Sequence, residues 1–120
     1  MKKKSSFILL FSVISLLLTV GCTTTTFNLA LRSQAESNNR GLLMLKLGMN
    51  KDDVYKVMKT PDNSEGFEWG TAWIYRTSSN NSVRYKGALD ESFTPVVFDR
   101  DDKLIGWGRQ VYIQKNPELQ

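Results

Sequence analysis

The chain has 120 residues, 16 basic and 12 acidic, with one cysteine and no histidine. Without imidazole it cannot form Ser-His or Cys-His nucleophilic pairs or histidine-ligated zinc sites, which excludes the commonest hydrolase and metalloenzyme designs. One cysteine excludes an internal disulfide, so a chain of this size depends on a single modest core.

Met1-Lys2-Lys3-Lys4-Ser5-Ser6 is a basic leader and Phe7 to Val20 carries no charge, the pattern of a cleaved secretory signal peptide over residues 1–21. The apolar run falls short of the roughly 20 residues that a spanning helix needs and passes directly into Gly21-Cys22-Thr23. A lone exported thiol is a liability, whereas attachment of diacylglycerol to Cys22 consumes it and moors the protein. Leu18-Thr19-Val20-Gly21-Cys22 resembles the bacterial lipobox, with Thr19 standing where leucine is usual. Thr23, rather than Asp, after the cysteine resembles the sorting pattern for the outer membrane of Gram-negative bacteria. Loss of three leader lysines from 16 basic residues leaves 13 against 12 acidic ones, without the one-sided field of a nucleic-acid binder.

Residues 22–39 read as a lipidated N-terminus and polar tether, with Thr23 to Thr26 and Ser37-Asn38-Asn39 at its ends and room for a loose helical turn or two where Leu29-Ala30-Leu31 is followed by Gln34, Ala35 and Glu36. Apolar density rises from Arg40 through Leu42, Leu43, Met44, Leu45 and Leu47, which places the start of a domain spanning 40–116 there, as a short helix. Gly48 to Lys59 carries a full helix grammar. Asn50 is the N-cap, Asp53 stands three residues on, Met49 staples to Val54, and Asp52 pairs with Lys56 along a face opposite Val54, Val57 and Met58. Thr60-Pro61-Asp62 ends it. Period-two alternation makes Phe67 to Arg76 a strand with Phe67, Trp69, Thr71, Trp73 and Tyr75 on one side. Thr77 to Ser92 reads as a long loop with a brief strand near Val83 to Tyr85. Phe93 to Phe98 and Leu104 to Tyr112 form a hairpin about the polar turn Asp99 to Lys103, with Pro95 implying an edge or early position. Residues 117–120 are a tail.

Leu45-Lys46-Leu47-Gly48-Met49, Asp53-Val54, Thr60-Pro61, Trp73-Ile74-Tyr75, Phe98-Asp99 and Lys103-Leu104, in this order, resemble the small outer-membrane lipoprotein family typified by BamE (SmpA/OmlA). The resemblance covers roughly Leu45 to Gln110, and Phe93 to Phe98 with Gly106-Trp107-Gly108 lies closer to that family's uncharacterised relatives than to BamE itself. It implies an α+β fold of two short helices packed on one face of a three-stranded antiparallel sheet, the ααβββ arrangement also found in β-lactamase-inhibitor domains. Lys59 departs from the family's usual Gly before the proline, where a left-handed cap is cheap.

The row Phe67, Trp69, Trp73 and Tyr75 reads first as core beneath the helix. A sheet covered on one side only would leave large groups such as Ile74, Val96, Phe98 and Trp107 for a partner, so Phe67, Trp69, Trp73, Tyr75, Arg76 and Trp107 are the candidate partner-binding residues. Arg76, Arg84, Lys86 and Arg109 are a second candidate, a basic patch near a membrane. Asp99, Asp101 and Asp102 are a solvated turn rather than a calcium loop, and Asp52 with Asp53 is explained by the helix cap. An enzymatic reading would need Arg84, Asp90 and Glu91 to converge. The sequence therefore predicts a non-catalytic envelope lipoprotein on the periplasmic face of the outer membrane. Anchored through Cys22, it would serve as a binding or assembly module in outer-membrane maintenance or biogenesis and meet another envelope component, a protein or lipid, through a sheet face, with no cofactor, metal, nucleic acid or small-molecule substrate. The alternative is an anchored inhibitor or sensor of an envelope enzyme.

Overall fold

The structure, a computed structural model, describes residues 26–119. Contacts divide the chain into Met1–Ala30, of which 26–30 are described as exposed helical residues, and Leu31–Gln120, which holds the fold that follows. The expected signal peptide and Cys22 lie outside the described residues.

Helix α1 occupies 26–42. Within the second unit its inward stripe is Leu31, Ala35, Asn38 and Leu42, spaced at helical intervals, with Ala35 and Asn38 buried. The tether reading of 22–39 therefore fails over its described part. The Asn38 amide donates to Arg76 O at 2.7 Å, Asn39 donates to Thr77 O at 2.8 Å, and Gln34 donates to the Asp62 carboxylate at 3.0 Å. These bonds fix α1 through polar groups, and the domain begins well before Arg40.

Helix α2, Lys51–Met58, follows the expected grammar: the Asn50 side chain accepts from Asp53 N at 2.9 Å, and Val54 and Met58 are buried. The acidic partner of Lys56 is Asp53 at 3.6 Å, one residue from the expected Asp52. Lys59 ends the helix at φ 64°, ψ −157°, a conformation that favours glycine, and the Tyr75 hydroxyl donates to Lys59 O at 2.8 Å.

The sheet has four strands, β1 (Asn63–Phe67), β2 (Gly70–Arg76), β3 (Phe93–Asp99) and β4 (Leu104–Trp107), in sequential antiparallel order. The α+β class stands, with three α-helices and four strands among the described residues where two and three were expected. The single aromatic strand proved to be a hairpin. Phe67 pairs with Gly70 across Glu68-Trp69, and Gly70 adopts φ +154° where a Cβ would lie 2.0 Å from Phe98 O. Only glycine tolerates that approach.

The second departure is at the other end of the sheet. Leu104 to Tyr112 was expected to be one strand, but β4 stops at Trp107, Gly108 turns at φ 100°, and Arg109–Lys115 forms helix α3. A register shift between Val97 and Phe98, which pair with Gly106 and Leu104, leaves Ile105 as a bulge residue. Pro95 sits on interior strand β3 rather than an edge. Its carbonyl accepts from Gly108 N at 2.8 Å, so its ring nitrogen faces the side where β4 has already ended and the ladder to β2 is intact. Pro117–Leu119 closes the described chain as a single 3-10 turn.

Two cores result. On the front, Leu45, Val54, Met58, Tyr75, Val96, Phe98 and Leu104 pack together beneath α2. On the back, Ala72, Ile74, Phe93 and Val97 are covered by Val111 and Tyr112 of α3 and by Tyr85 and Leu89 of the 77–92 segment. The sheet is thus covered on both faces, and the expectation of an open apolar face does not hold. Segment 77–92, here called the strap, has no regular secondary structure and no strand near Val83.

Candidate functional site

The candidate residues from the sequence do not form one surface. Phe67 and Trp69 leave the row and stack on each other over the back core, with ring centroids 4.8 Å apart, while Trp73 and Trp107 stay on the front, half-buried. Trp73 meets Phe98 edge-on at 4.9 Å, and the Lys51 ammonium lies 5.5 Å from its ring centre. Tyr75 and Arg76 are 0% and 3% exposed, so neither can present itself to a partner. The hairpin between β1 and β2 separated residues that strict alternation had aligned.

Arg76 is instead an organiser. Its guanidinium donates to Ser78 O at 3.2 Å, Asn81 O at 2.8 Å and Val83 O at 2.5 Å, and lies 4.6 Å from the Phe93 ring centre. A buried cation without a carboxylate on its guanidinium would be costly, and three peptide oxygens supply the compensating charge-assisted bonds. The strap is wound around them. Its far part is held by Tyr85, whose hydroxyl donates to Glu65 on β1, while the other oxygen of that carboxylate accepts from Tyr112 of α3 at 2.9 Å. Burial, and then the Glu65 carboxylate, push the Tyr112 hydroxyl up to about 12 and the Tyr85 hydroxyl higher. Glu65 therefore joins three elements, and nothing in its sequence context signalled this, because β1 reads as polar loop.

The basic patch also separates, since Arg76 is buried while Arg84, Lys86 and Arg109 are exposed on the strap and α3. Arg84, Asp90 and Glu91 are likewise exposed, and Asp90 caps the Ser92 amide at 2.7 Å. The Asp99 carboxylate accepts from Asp101 N at 2.9 Å and Lys103 N at 3.0 Å, and Asp102 pairs with Lys51 at 3.1 Å. Among the described residues no group of three or more acidic, His or Cys side chains is placed to hold a metal. A cavity of about 200 Å³ lies between Gly87, Leu89, Arg109, Tyr112 and Leu119.

The most exposed apolar feature is one the sequence reading had assigned to the start of a helix. Between α1 and α2 the chain makes two turns, with Leu43, Met44 and Leu47 exposed at 88%, 65% and 71%. The tip is firmly held. Leu45 is buried in the front core, Met44 N donates to Gly41 O at 3.0 Å, Gly48 N donates to Leu104 O at 2.8 Å, and Leu104 N donates to Met49 O at 2.8 Å. The last two bonds and the Asn50–Lys103 bridge also cover the outer edge of β4. A signal for the tip was present: five of the six residues 42–47 are large and apolar, more than one helix face can bury.

Among the described residues no helix is long and apolar enough to cross a membrane. The family described as "Protein of unknown function (DUF3192)" matches residues 17–114. No curated protein and no solved structure matches the chain.

Proposed function

We propose a function for a chain that belongs to the family of proteins of unknown function DUF3192: it is a non-catalytic interaction module of the bacterial envelope, moored through lipidated Cys22 on the periplasmic face of the outer membrane. The observation that carries this reading is the rigid tip Leu43-Met44-x-x-Leu47. Fully burying a Leu or Met side chain is worth about 1.5–3 kcal/mol, so three such groups held in water by fixed turns are stabilisation reserved for a contact. The contact surface is this tip with half-buried Met49, whose sulfur accepts from Lys46 N, beside it, in place of the aromatic row. Mooring supports so small a surface, because confinement to a membrane raises the effective concentration of partners there. The finer BamE-like reading of the fold, with α1 and α2 on the front of the sheet and the added β1 and α3, belongs to the same proposal.

The test has two parts. Mass spectrometry of the membrane fraction is expected to find Cys22 acylated and the preceding residues removed. Photocrosslinkers placed at Leu43 and Leu47 in living cells are expected to give adducts that the same group at exposed Lys115 does not. A soluble protein with a free thiol, or equal adducts at all three positions, would remove the basis for the reading.

A further inference from the structure

We infer that the outer edge of β1 takes up an extended segment of a partner protein as a fifth strand, one in which lysine or arginine alternates with aliphatic residues. This surface is separate from the 43–47 tip and does not depend on the mooring.

The backbone of β1 is open. Pro95 turns its ring nitrogen toward β4, so its partner Ile74 directs its own peptide groups toward β1, and Ile74 O accepts from Asp62 N at 2.8 Å. Alternation then turns Asn63, Glu65 and Phe67 inward to β2 and leaves the N–H and C=O of Ser64 and Gly66 pointing away from the sheet. Among the described residues none of these four groups bonds elsewhere in the chain. The opposite edge, on β4, is covered by Gly48, Met49 and the Asn50–Lys103 bridge, so β1 is the edge kept bare.

There is also room for another strand. Ser64 and Gly66 are exposed, and a Cβ on Gly66 would meet nothing within 4 Å. Both lie on the front, where Ser64 pairs with half-buried Trp73, and Tyr55, 48% exposed, meets the Trp73 ring edge-on at 6.4 Å. An antiparallel strand that exchanges both bonds with Ser64 and with Gly66 places its own side chains at those positions on the front. Aliphatic groups there lie beside small residues and within reach of aromatic rings.

Charge selects the occupant. From Thr60 to Tyr75 the only charged residues are Asp62, Glu65 and Glu68, and among the described residues none of the three is in an ion pair. The added side chains between the aliphatic ones fall on the back with Glu65 or near Asp62 and Glu68 at the two ends, where cations fit. A second copy of this chain is the wrong occupant, because β1 against β1 sets carboxylates near carboxylates.

The test uses the full chain in non-ionic detergent and a seven-residue peptide of alternating lysine and valine at about 1 mM, with amide hydrogen exchange read by NMR. Exchange at Ser64 and Gly66 is expected to slow about fivefold with the peptide present, while Glu65 and Phe67, already bonded to β2, change little. The same peptide N-methylated at its valines, and one with glutamate in place of lysine, should leave Ser64 and Gly66 unprotected. Glu68→Lys, in an exposed turn, should weaken binding of the lysine–valine peptide about threefold. Unprotected Ser64 and Gly66 with the lysine–valine peptide, or equal protection by either control peptide, overturns the inference. Protection that appears without peptide and grows with protein concentration, together with a dimer in sedimentation, names a second copy as the occupant and overturns it as well.

Discussion

Replacing Arg76 by methionine removes the guanidinium while keeping an unbranched apolar chain over Phe93. Three acceptors, Ser78 O, Asn81 O and Val83 O, then lose their donor. Hydrogen bonds to a charged group contribute about 1.5–3 kcal/mol each when judged singly, but the three cannot be summed. The strap can open and return its carbonyls to water, which limits the loss to about 2–4 kcal/mol. The strap ties that remain lie at its two ends and on Tyr85: the Thr77 and Ser78 amides on Ser92 O at 2.8 and 3.2 Å, Asn39 on Thr77 O at 2.8 Å, the Thr77 and Thr94 hydroxyls at 2.6 Å, Arg109 on Leu89 O at 3.4 Å, and Tyr85 on Glu65. Opening should therefore be local. Hydrogen exchange at Thr77 and Ser78 is expected to accelerate about a hundredfold, since each 1.4 kcal/mol is a factor of ten, while Val54 and Lys59 amides in α2 follow only the global change. Arg76→Lys should fall between, because a point charge cannot reproduce a fork aimed at three oxygens. A variant Arg76→Met that loses less than about 1 kcal/mol in denaturant titration, with unchanged exchange at Thr77 and Ser78, would refute the idea that this cation winds the strap.

Three further outcomes follow from the geometry. Tyr112 is raised by burial first and by Glu65 second, so its neutral form stabilises the fold fully below the ordinary value of 10.0, and that contribution is lost as pH rises toward about 12. Denaturation midpoints should fall across that window, and in Glu65→Gln the tyrosinate absorbance of Tyr112 should appear at lower pH, though still above 10.0 because burial persists; equal midpoints would contradict the role of the carboxylate. Gly70→Ala would put a methyl 2.0 Å from Phe98 O at φ +154° and should cost at least ~2 kcal/mol in chemical denaturation. Lys59→Gly should raise stability by about 1 kcal/mol by relieving a residue at φ 64°, and an unchanged or lower midpoint would show that the conformation carries little strain.

Local chemistry was legible and long-range partnership was not. The Asn50 cap, the α2 stripe and the stop before Pro61 depend on neighbours a few residues apart, and each is where the sequence puts it. Only a loose turn or two of helix α1 was legible, because its inward face is Leu31, Ala35 and Asn38, a stripe whose middle is a methyl and whose end is an amide matched to Arg76 O. No hydrophobic periodicity announces such a face. The β1–β2 hairpin escaped because Glu68-Trp69 lacks the usual turn residues, and the glycine that makes it possible stands one place later. At the C-terminal end, Val111 beside Tyr112 reads as part of a strand until Gly108 turns the chain, after which these two residues of α3 cover the sheet face that the sequence reading had left open for a partner. The candidate surface moved for the same reason: once both faces were covered, the most exposed apolar groups among the described residues were those of the α1–α2 turns.

The cage around Arg76 is made entirely of peptide oxygens, which every amino acid supplies in the same form. Its closure consequently depends on the path of the backbone through positions 78, 81 and 83, which the Ser78 and Asn81 side chains help to set by accepting from Asn80 N and Val83 N, each at 3.3 Å. Outside Ser78, Asn81, Tyr85 and Leu89 the exposed letters of the strap can thus be rewritten, to carry a reporter epitope or a new recognition sequence, while the arginine beneath keeps it shut.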